Sequence, residues 1–422
     1  MDPCCSSVLL IPKFNLSPTL IEIEQAWQLI AKQTSTTETE SIQLADAAGR
    51  ILRNPIVSDI DSPPFAKSLM DGFAIGNWND VNPEYTIVEV ITAGQLPTQA
   101  LSPGQATQIM TGCPVPEGTA GVVMIEQTEA IAEGKIKLTT DAFRAGQNVL
   151  DQGHVIQTGE CLAQAGHLVQ AHDIGTFAEF GFAELEVARR TRVAVLVTGD
   201  ELVDPAESPG PGQIRNSNGS MLCGLAKAAG GEVTDLGIAR DNKEELSQKI
   251  EQGLKNDVLV IAGGVSAGVL DLIPQCLAEN GVQQVFHKIN LKPGKPLWFG
   301  KAENGCLAFG LPGNPVSSLV CFKLFAEPTI RNLEQGSREW VDFCSGQLSS
   351  EFQFKAGRRT FWPVQIDLSE QGFMLNPLDW KGSADQVTFL KANGLVSLGQ
   401  ENLENGGYSI LEAGSAVEFI WL

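Results

Sequence analysis

The apolar positions change period along the chain, and each change marks a new kind of element. Leu20, Ile23, Trp27 and Ile30 recur at helical spacing, and Ser17-Pro18 ahead of them supplies an N-cap followed by proline in the first turn. One amphipathic helix is therefore expected to about Lys32, broken by the Ser/Thr-rich stretch 34–41, with 44–49 a turn or short helix. From Pro63, short apolar runs at 85–91, 108–110, 121–125 and 136–140 are separated by Gly94, Pro97, Ser102-Pro103-Gly104 and Pro114-Val115-Pro116, as in a small β domain. Residues 150–188 return to mixed character, end in a strand at 184–188, and are expected to pack back on the first helix.

At Arg192 the pattern turns α/β. The runs 193–197 and 258–262 are continuously apolar, as strands covered on both faces are. Between them come a helix ended by Gly230-Gly231, a strand at 232–237, and a helix that Asn242-Lys243-Glu244-Glu245 opens like a capping box. A helix at 271–279 has Pro274 in its first turn. Strands at 284–288, 297–300 and 306–309 and a helix from Pro315 to about Leu333 follow. Strict alternation then takes over: 360–366 and 372–375 flank a turn, and 416–422 is a last strand. The chain reads as multidomain α/β and β. A helical/mixed N-terminal domain (15–60 plus 150–188) carries an inserted small β domain (61–149). A doubly wound, mostly parallel α/β catalytic domain (189–337) and a C-terminal β domain (338–422) follow.

Composition narrows the function. A net charge of −21 over 422 residues argues against nucleic acid or an anionic membrane as partner. Nine scattered cysteines with no C-x-x-C pair, and four histidines without ligand spacing, point to neither zinc nor a disulfide framework. With no signal peptide and no apolar stretch near ~18 residues, a cytoplasmic protein is expected.

In this acidic chain one run is basic: Lys288-Ile289-Asn290-Leu291-Lys292-Pro293-Gly294-Lys295-Pro296. As an extended strand it would set Lys288, Asn290 and Lys292 on one face, and the Pro-Gly bend would bring Lys295 beside them. Converging ammonium groups need an anion between them; alone, the run also reads as a lysine-blocked edge strand. Open parallel sheets bind ligands beyond the carboxyl ends of their strands, where the loops here carry Glu201, Asp241, Gly263-Gly264-Val265-Ser266, Asp271 and Gly313-Asn314. Gly263, Gly264, Ser266, Gly313 and Asn314 precede helices, where free N–H groups hold oxyanions. Glu201, Asp241 and Asp271 form a carboxylate rim for a divalent cation, Asp271 reading equally well as an N-cap. Lysines for an anion and acids for a metal make the layout of a phosphoryl-type transfer site.

Six ordered motifs resemble the molybdopterin molybdenumtransferase family, the MoeA type shared with the C-terminal part of gephyrin. They are Met70-Asp71-Gly72-Phe73-Ala74, Met110-Thr111-Gly112, Thr198-Gly199-Asp200-Glu201-Leu202, Gly263-Gly264-Val265-Ser266-Ala267-Gly268, Lys292-Pro293-Gly294-Lys295-Pro296 and Leu311-Pro312-Gly313-Asn314-Pro315-Val316-Ser317. The resemblance implies a homodimeric enzyme that takes adenylylated molybdopterin and molybdate with Mg2+, releases AMP and leaves molybdenum on the dithiolene. Molybdopterin adenylyltransferase and apo-molybdoenzymes are its implied partners. By matching position, Asp71 and Thr111 would reach in from the second copy, while Glu201, Asp241 and Asp271 would manage the metal and the phosphoanhydride. Lys288, Lys292, Lys295, Ser317 and Ser383 would hold oxyanions, with Asp241, Asp271, Lys288 and Lys292 in catalytic roles.

The chain departs from the family pattern in two places. Leu150 stands where the family has arginine, with His154 and Val155 in place of two acids, and Pro363 replaces the arginine of Phe-x-Arg, with Arg358 or Arg359 as candidate substitutes. Two functions thus stand side by side: an active transferase, and a catalytically weakened paralogue or scaffold that binds molybdopterin without efficient turnover. Release of AMP separates them. An adenylyltransferase of the related single-domain type is a third reading, disfavoured because that family resembles Gly-Gly-Thr-Gly where this chain has Gly-Gly-Val-Ser.

Overall fold

The structure, a computed structural model, describes residues 20–78, 84–140, 142–265, 272–336, 340–355, 357–399 and 407–422. The chain divides into two compact units, 41–187 and 1–40 with 188–422.

The second of these is built on a six-stranded sheet. Its spatial order is Glu232–Ala239, Arg192–Thr198, Val258–Ala262, Leu307–Leu311, Trp298–Ala302, Val282–His287. The first four are mutually parallel, Trp298–Ala302 runs antiparallel to Leu307–Leu311, and Val282–His287 runs antiparallel to Trp298–Ala302. Every residue of Val258–Ala262 and Leu307–Leu311 is buried, which is why these strands read as unbroken apolar runs. Helices Ser217–Ala228 and Lys243–Gly253 begin on Asn216 and Asn242, whose side chains accept from Gly219 N and Glu245 N. Two cores lie on either face of the sheet, one around Val195, Val260 and Phe309, the other around Leu196, Leu259 and Ile261. The helix predicted as one piece from Pro315 runs Pro315–Cys321, widens through a π-helical stretch at Phe322–Ala326, and resumes as Glu327–Gln335.

The first helix, Ile23–Ala31, is expected from its pattern to pack with residues 150–188, but its apolar face is taken up in the α/β core. Ile23, Ala26 and Ile30 are buried in the same core as the α/β strands, and Trp27 Nε1 donates to Leu324 O at 2.8 Å. An amphipathic period states that a face is covered and leaves open by what. The helix begins after Glu22, and Ser17 and Pro18 lie outside the described residues.

A second six-stranded sheet in this unit joins Leu291–Lys292 to the C-terminal strands. Arg359–Ser369 and Gly372–Pro377 form the expected antiparallel pair, and Ala416–Trp421 is the last strand.

In the unit 41–187, Glu84–Ile91, Gln105–Ile109, Gly121–Met124 and Lys135–Leu138 form the expected strands. Gly72–Ile75 and Thr128–Ala132 complete the six-stranded sheet. A separate core of Leu52, Ile56, Val169, Phe177 and Val187 ties residues on either side of that insertion together.

Candidate functional site

The basic run is not one strand. Val282–His287 ends before Lys288, which turns the chain with a left-handed φ of 74°. Asn290 is then drawn aside, its Nδ2 donating to Glu22 Oε1 at 2.8 Å and its N–H to Ile21 O at 2.8 Å. The reading that put Lys288, Asn290 and Lys292 on one face is thereby corrected. Leu291 and Lys292 pair in parallel with Arg359 and Thr360. Ile289 N then donates to Lys295 O at 2.9 Å and folds the Pro-Gly turn back. Gly294 closes that turn at φ 121°, where a Cβ would lie 2.6 Å from Cys321 Sγ.

These constraints leave a cavity of about 500 Å3 whose polar wall is Lys292, Lys295, Ser317, Arg358, Lys381 and Ser383. Lys288 is not part of this wall. Ser317 comes from the helix after Leu311-Pro312-Gly313-Asn314, and Val316 N donates to Ser383 O at 3.0 Å, fixing the C-terminal strands' loop against that helix. Sequence reasoning found Lys292, Lys295, Ser317 and Ser383. It missed Lys381, Trp362 and Trp380 and left Arg358 tied with Arg359; Lys381-Gly382-Ser383 was the available signal for Lys381.

The cavity's electrostatics are unbalanced. Among the described residues none of Lys292, Lys295, Arg358 and Lys381 makes an ion pair, whereas Arg189 holds Asp257 and Glu38, and Arg359 holds Glu24 and Glu418. Burial, and then the charges of Arg358 and Lys355, pull the Lys292 ammonium below the usual lysine range. A cation held at such a cost, beside other cations and with no ion pair among the described residues, is placed to meet an anion. A second cavity, about 420 Å3, carries no such imbalance. Its buried Glu327 is already met by Lys323 at 2.8 Å and Arg331 at 2.7 Å.

The carboxylate rim is a separate cluster. Glu201 and Asp241 lie beyond the carboxyl ends of neighbouring parallel strands, as the topology required, and both are exposed. Asp241 accepts from Thr198 Oγ1 and its N–H reaches Asp200 Oδ1 at 3.1 Å, while Arg240 Nη1 ties the Gly199–Leu202 loop through its carbonyls. Gly263 and Gly313 pack the next two strand ends together; a Cβ on Gly313 would sit 3.7 Å from Gly263 Cα. Asn218 Nδ2 holds Gly313 O at 2.7 Å. Asn314 precedes its helix without a side-chain cap bond. Gly264 follows Gly263 with φ 60°; Ser266 and Asp271 lie outside the described residues.

Glu201 and Asp241 do not line the lysine cavity. The 312–315 loop runs from the rim at Gly313 to the helix that carries Ser317. Gly263 has φ 105°, and a Cβ there would meet Thr198 O at 2.6 Å. Gly263→Ala is therefore expected to displace the rim and cost about 1–3 kcal/mol, read as a shift in the denaturant midpoint at unchanged slope.

In the other unit, Asp71 Oδ1 accepts from Thr111 N at 2.7 Å and Thr111 Oγ1 at 2.9 Å, so the two motif residues form one exposed group. These bonds, the backbone one first, hold the Asp71 carboxyl below its usual range. Leu150 ends the short strand Val149–Leu150, and His154 and Val155 are exposed.

An α/β domain with a cation-lined cavity and a carboxylate rim at its strand ends defines a class of anion-binding α/β proteins. Residues 194–332 match the family described as "Probable molybdopterin binding domain", and residues 21–181 match the MoeA N-terminal region (domain I and II). The chain is 30% identical over 410 residues to a molybdopterin molybdenumtransferase of Staphylococcus epidermidis, covering 95% of this chain and 96% of the relative. It is 33% identical over 389 residues to that of Haemophilus influenzae, covering 90% and 95%. The crystal structure of a molybdopterin biosynthesis MoeA protein from Pyrococcus horikosii superposes with a TM-score of 0.80 at 29% identity, over 96% of this chain and 99% of that one. The chain belongs to the molybdopterin molybdenumtransferase family. It is a transferase of molybdenum cofactor biosynthesis, and its substrates are molybdopterin-related.

Proposed function

We propose that this chain takes molybdate and adenylylated molybdopterin with Mg2+ and releases AMP as molybdenum is placed on the dithiolene. The observation that carries the reading is the cavity of unpaired cations at Lys292 and Lys295. Molybdate is a doubly charged tetrahedral oxyanion, and a half-buried lysine, an exposed lysine and the hydroxyls of Ser317 and Ser383 offer the charge and donors it needs.

Among the described residues no group of three or more His, Cys, Asp or Glu could hold a metal alone. Magnesium fits all the same, because it is ordinarily held by one or two carboxylates with substrate phosphates and water completing its shell. Glu201 and Asp241 are hard oxygen donors with no ion pair among the described residues; Asp271 joins them in this reading. Bound there, the metal would neutralise charge developing on the phosphoanhydride. In this reading Lys288 acts on the same anhydride, and Gly264, Gly313 and Asn314 offer backbone N–H groups to the phosphates; Gly263 N is already given to Leu311 O at 3.1 Å, so Gly263 shapes the loop, and Ser266 is assigned with them from the sequence alone. Asp71 and Thr111 come from a second copy, which makes the working form a homodimer.

The four-part division 15–60 with 150–188, 61–149, 189–337 and 338–422 belongs to the same reading, with the first helix reassigned to the α/β part. No described helix is long and apolar enough to cross a membrane. We place the protein in the cytoplasm, receiving its substrate from a molybdopterin adenylyltransferase and serving apo-molybdoenzymes. The test is AMP release from adenylylated molybdopterin. Release that needs both molybdate and magnesium is expected; pterin binding with no release, when an active family member releases AMP in parallel, would move the chain to the non-catalytic scaffold reading.

A further inference from the structure

Resting on the reading of Glu201 and Asp241 as the magnesium rim, we infer that Arg240 is the positioning residue of that rim, the cation that sets both carboxylates in place while leaving them unpaired. Arg240 and Asp241 follow the strand Glu232–Ala239, and Glu201 lies in the turn after its parallel neighbour Arg192–Thr198. The register Thr198↔Ala239 brings the two strand ends level. From there Arg240 reaches across to the other turn. Its Nη1 donates to Asp200 O at 2.9 Å and Leu202 O at 3.0 Å, with Gly199 O at 3.4 Å. Three carbonyl oxygens gathered at one point repel one another, and a charged nitrogen among them lets the turn close. Downstream the turn is anchored by buried Leu202 and Val203, and Glu201 O accepts from Ile214 N at 2.8 Å.

The closed turn decides where both carboxylates rest. Glu201 folds back over Gly199: a Cβ on Gly199 would lie 2.7 Å from Glu201 Oε2 and 2.9 Å from Oε1. Asp241 accepts from Thr198 Oγ1, and its N–H meets Asp200 Oδ1 at 3.1 Å. The two acids therefore lie against consecutive residues, Thr198 and Gly199, at the end of one strand. Like charges gathered in this way are disfavoured unless a cation joins them. Arg240 is the one basic residue in the turns 199–202 and 240–241, yet it faces carbonyls and makes no ion pair among the described residues. A guanidinium placed for stability would have taken one of the acids, as Arg189 takes Asp257. Facing the backbone, Arg240 shapes the turn and leaves the carboxylate oxygens for a divalent ion. Its charge also repels such an ion, so its removal has two effects of opposite sign. Placement is the larger: Arg240 is exposed, where water and salt screen its repulsion, whereas magnesium demands near-ideal geometry at about 2.0–2.1 Å.

The test is titration of the full chain and its variants with Mn2+ as the probe for magnesium, followed by electron paramagnetic resonance of the free ion. Each variant is checked for folding by circular dichroism and for molybdate binding by calorimetry. Arg240→Ala is expected to weaken Mn2+ binding about tenfold or more, the usual loss when a group that orients metal ligands is removed. Its molybdate affinity is expected to stay within about threefold of the parent, because Glu201 and Asp241 lie outside the lysine cavity. Arg240→Lys is expected to return Mn2+ binding to within about threefold of the parent, since one Nζ can donate to the carbonyls that one Nη1 now meets. Gly199→Ala keeps Arg240 but displaces the Glu201 carboxylate, and is expected to weaken Mn2+ binding as Arg240→Ala does. Asp241→Asn reports on the underlying reading: unchanged Mn2+ binding there, or none by the parent chain, overturns the rim itself. Should Asp241→Asn weaken binding while Arg240→Ala or Gly199→Ala binds as tightly as the parent or more so, the inference about Arg240 is overturned and the rim reading stands. The same holds if Arg240→Lys binds no better than Arg240→Ala, or if Arg240→Ala loses molybdate affinity together with Mn2+. If Arg240→Ala fails to fold, Arg240→Gln is set against Arg240→Lys, and equal Mn2+ binding by the two overturns the inference.

Discussion

Lys292→Ala is expected to lower turnover in the AMP-release assay by roughly 10²–10³-fold, the usual loss when one preorganised donor to a developing or bound oxyanion is removed. The same change is expected to leave thermal stability unaltered or slightly raised. The sign follows from the ammonium's environment. Burial and like charges hold its folded-state pKa below the unfolded value. Folding therefore works against the protonated side chain: the penalty is full below that lowered pKa, shrinks as pH rises through it and is gone above the unfolded value. Deleting the charge removes the penalty together with the oxyanion grip, the opposed outcome expected where a site is kept at the expense of stability. The paired measurement is turnover and unfolding midpoint at neutral pH. A variant that loses both in proportion would make Lys292 a structural residue and leave the cavity without its principal charge. In the parent chain, molybdate affinity is expected to begin falling at a lower pH than an ordinary lysine would dictate.

The fold of the α/β part was legible because its information is local. Two-sided burial writes itself as the unbroken runs of Val258–Ala262 and Arg192–Thr198, and side-chain caps announce helices at Asn242. Once strand order is parallel, the carboxyl ends must share one edge, so Glu201 and Asp241 could be placed together before any coordinates. What failed depended on distant partners. The basic run alternates as a strand should, but Lys288 adopts a left-handed φ that lysine has no special capacity for, and the turn is held by bonds from Lys288 N to Leu297 O and Ile289 N to Lys295 O. The first helix showed its apolar stripe, yet its cover is Leu324 and its neighbours, some 300 residues away. Arg358 and Arg359 were equivalent on paper. Only the register of their strand against Leu291–Lys292 decides which faces the cavity.

The second large effect is expected at the opposite edge of the same sheet. Asp257 immediately precedes Val258–Ala262, with its Oδ2 at 2.9 Å from Arg189 Nη1, its Oδ1 at 3.1 Å from Arg192 Nη2, and Arg192 N donating to Oδ2 at 2.8 Å. Its own N–H reaches Arg192 O and its carbonyl accepts from Leu307 N, so three parallel strands are stapled where they begin. Burial alone would raise its pKa, but the bonds from Arg189 and Arg192 overcome that and bring it to about 2. A carboxylate depressed in this way contributes stability that is complete above the unfolded value of 3.8 and is lost as pH falls through about 2. The pH-dependent part amounts to about 2 kcal/mol. Asp257→Ala also takes a partner from half-buried Arg189, which keeps Glu38, and from exposed Arg192, and is expected to cost about 2–3 kcal/mol at neutral pH, measured by denaturant unfolding. The variant should lose the share of acid sensitivity that Asp257 contributes, about 2 kcal/mol roughly between pH 4 and pH 2, while the other depressed carboxylates such as Asp61 and Asp173 keep theirs. Because Asp257 sits at the strand beginnings and the oxyanion cavity and carboxylate rim follow the strand ends, molybdate affinity of the folded variant should match the parent. A loss of affinity without a loss of stability would mean that the staple shapes the site, and that the two edges of the sheet are not separable in the way the parallel strands imply.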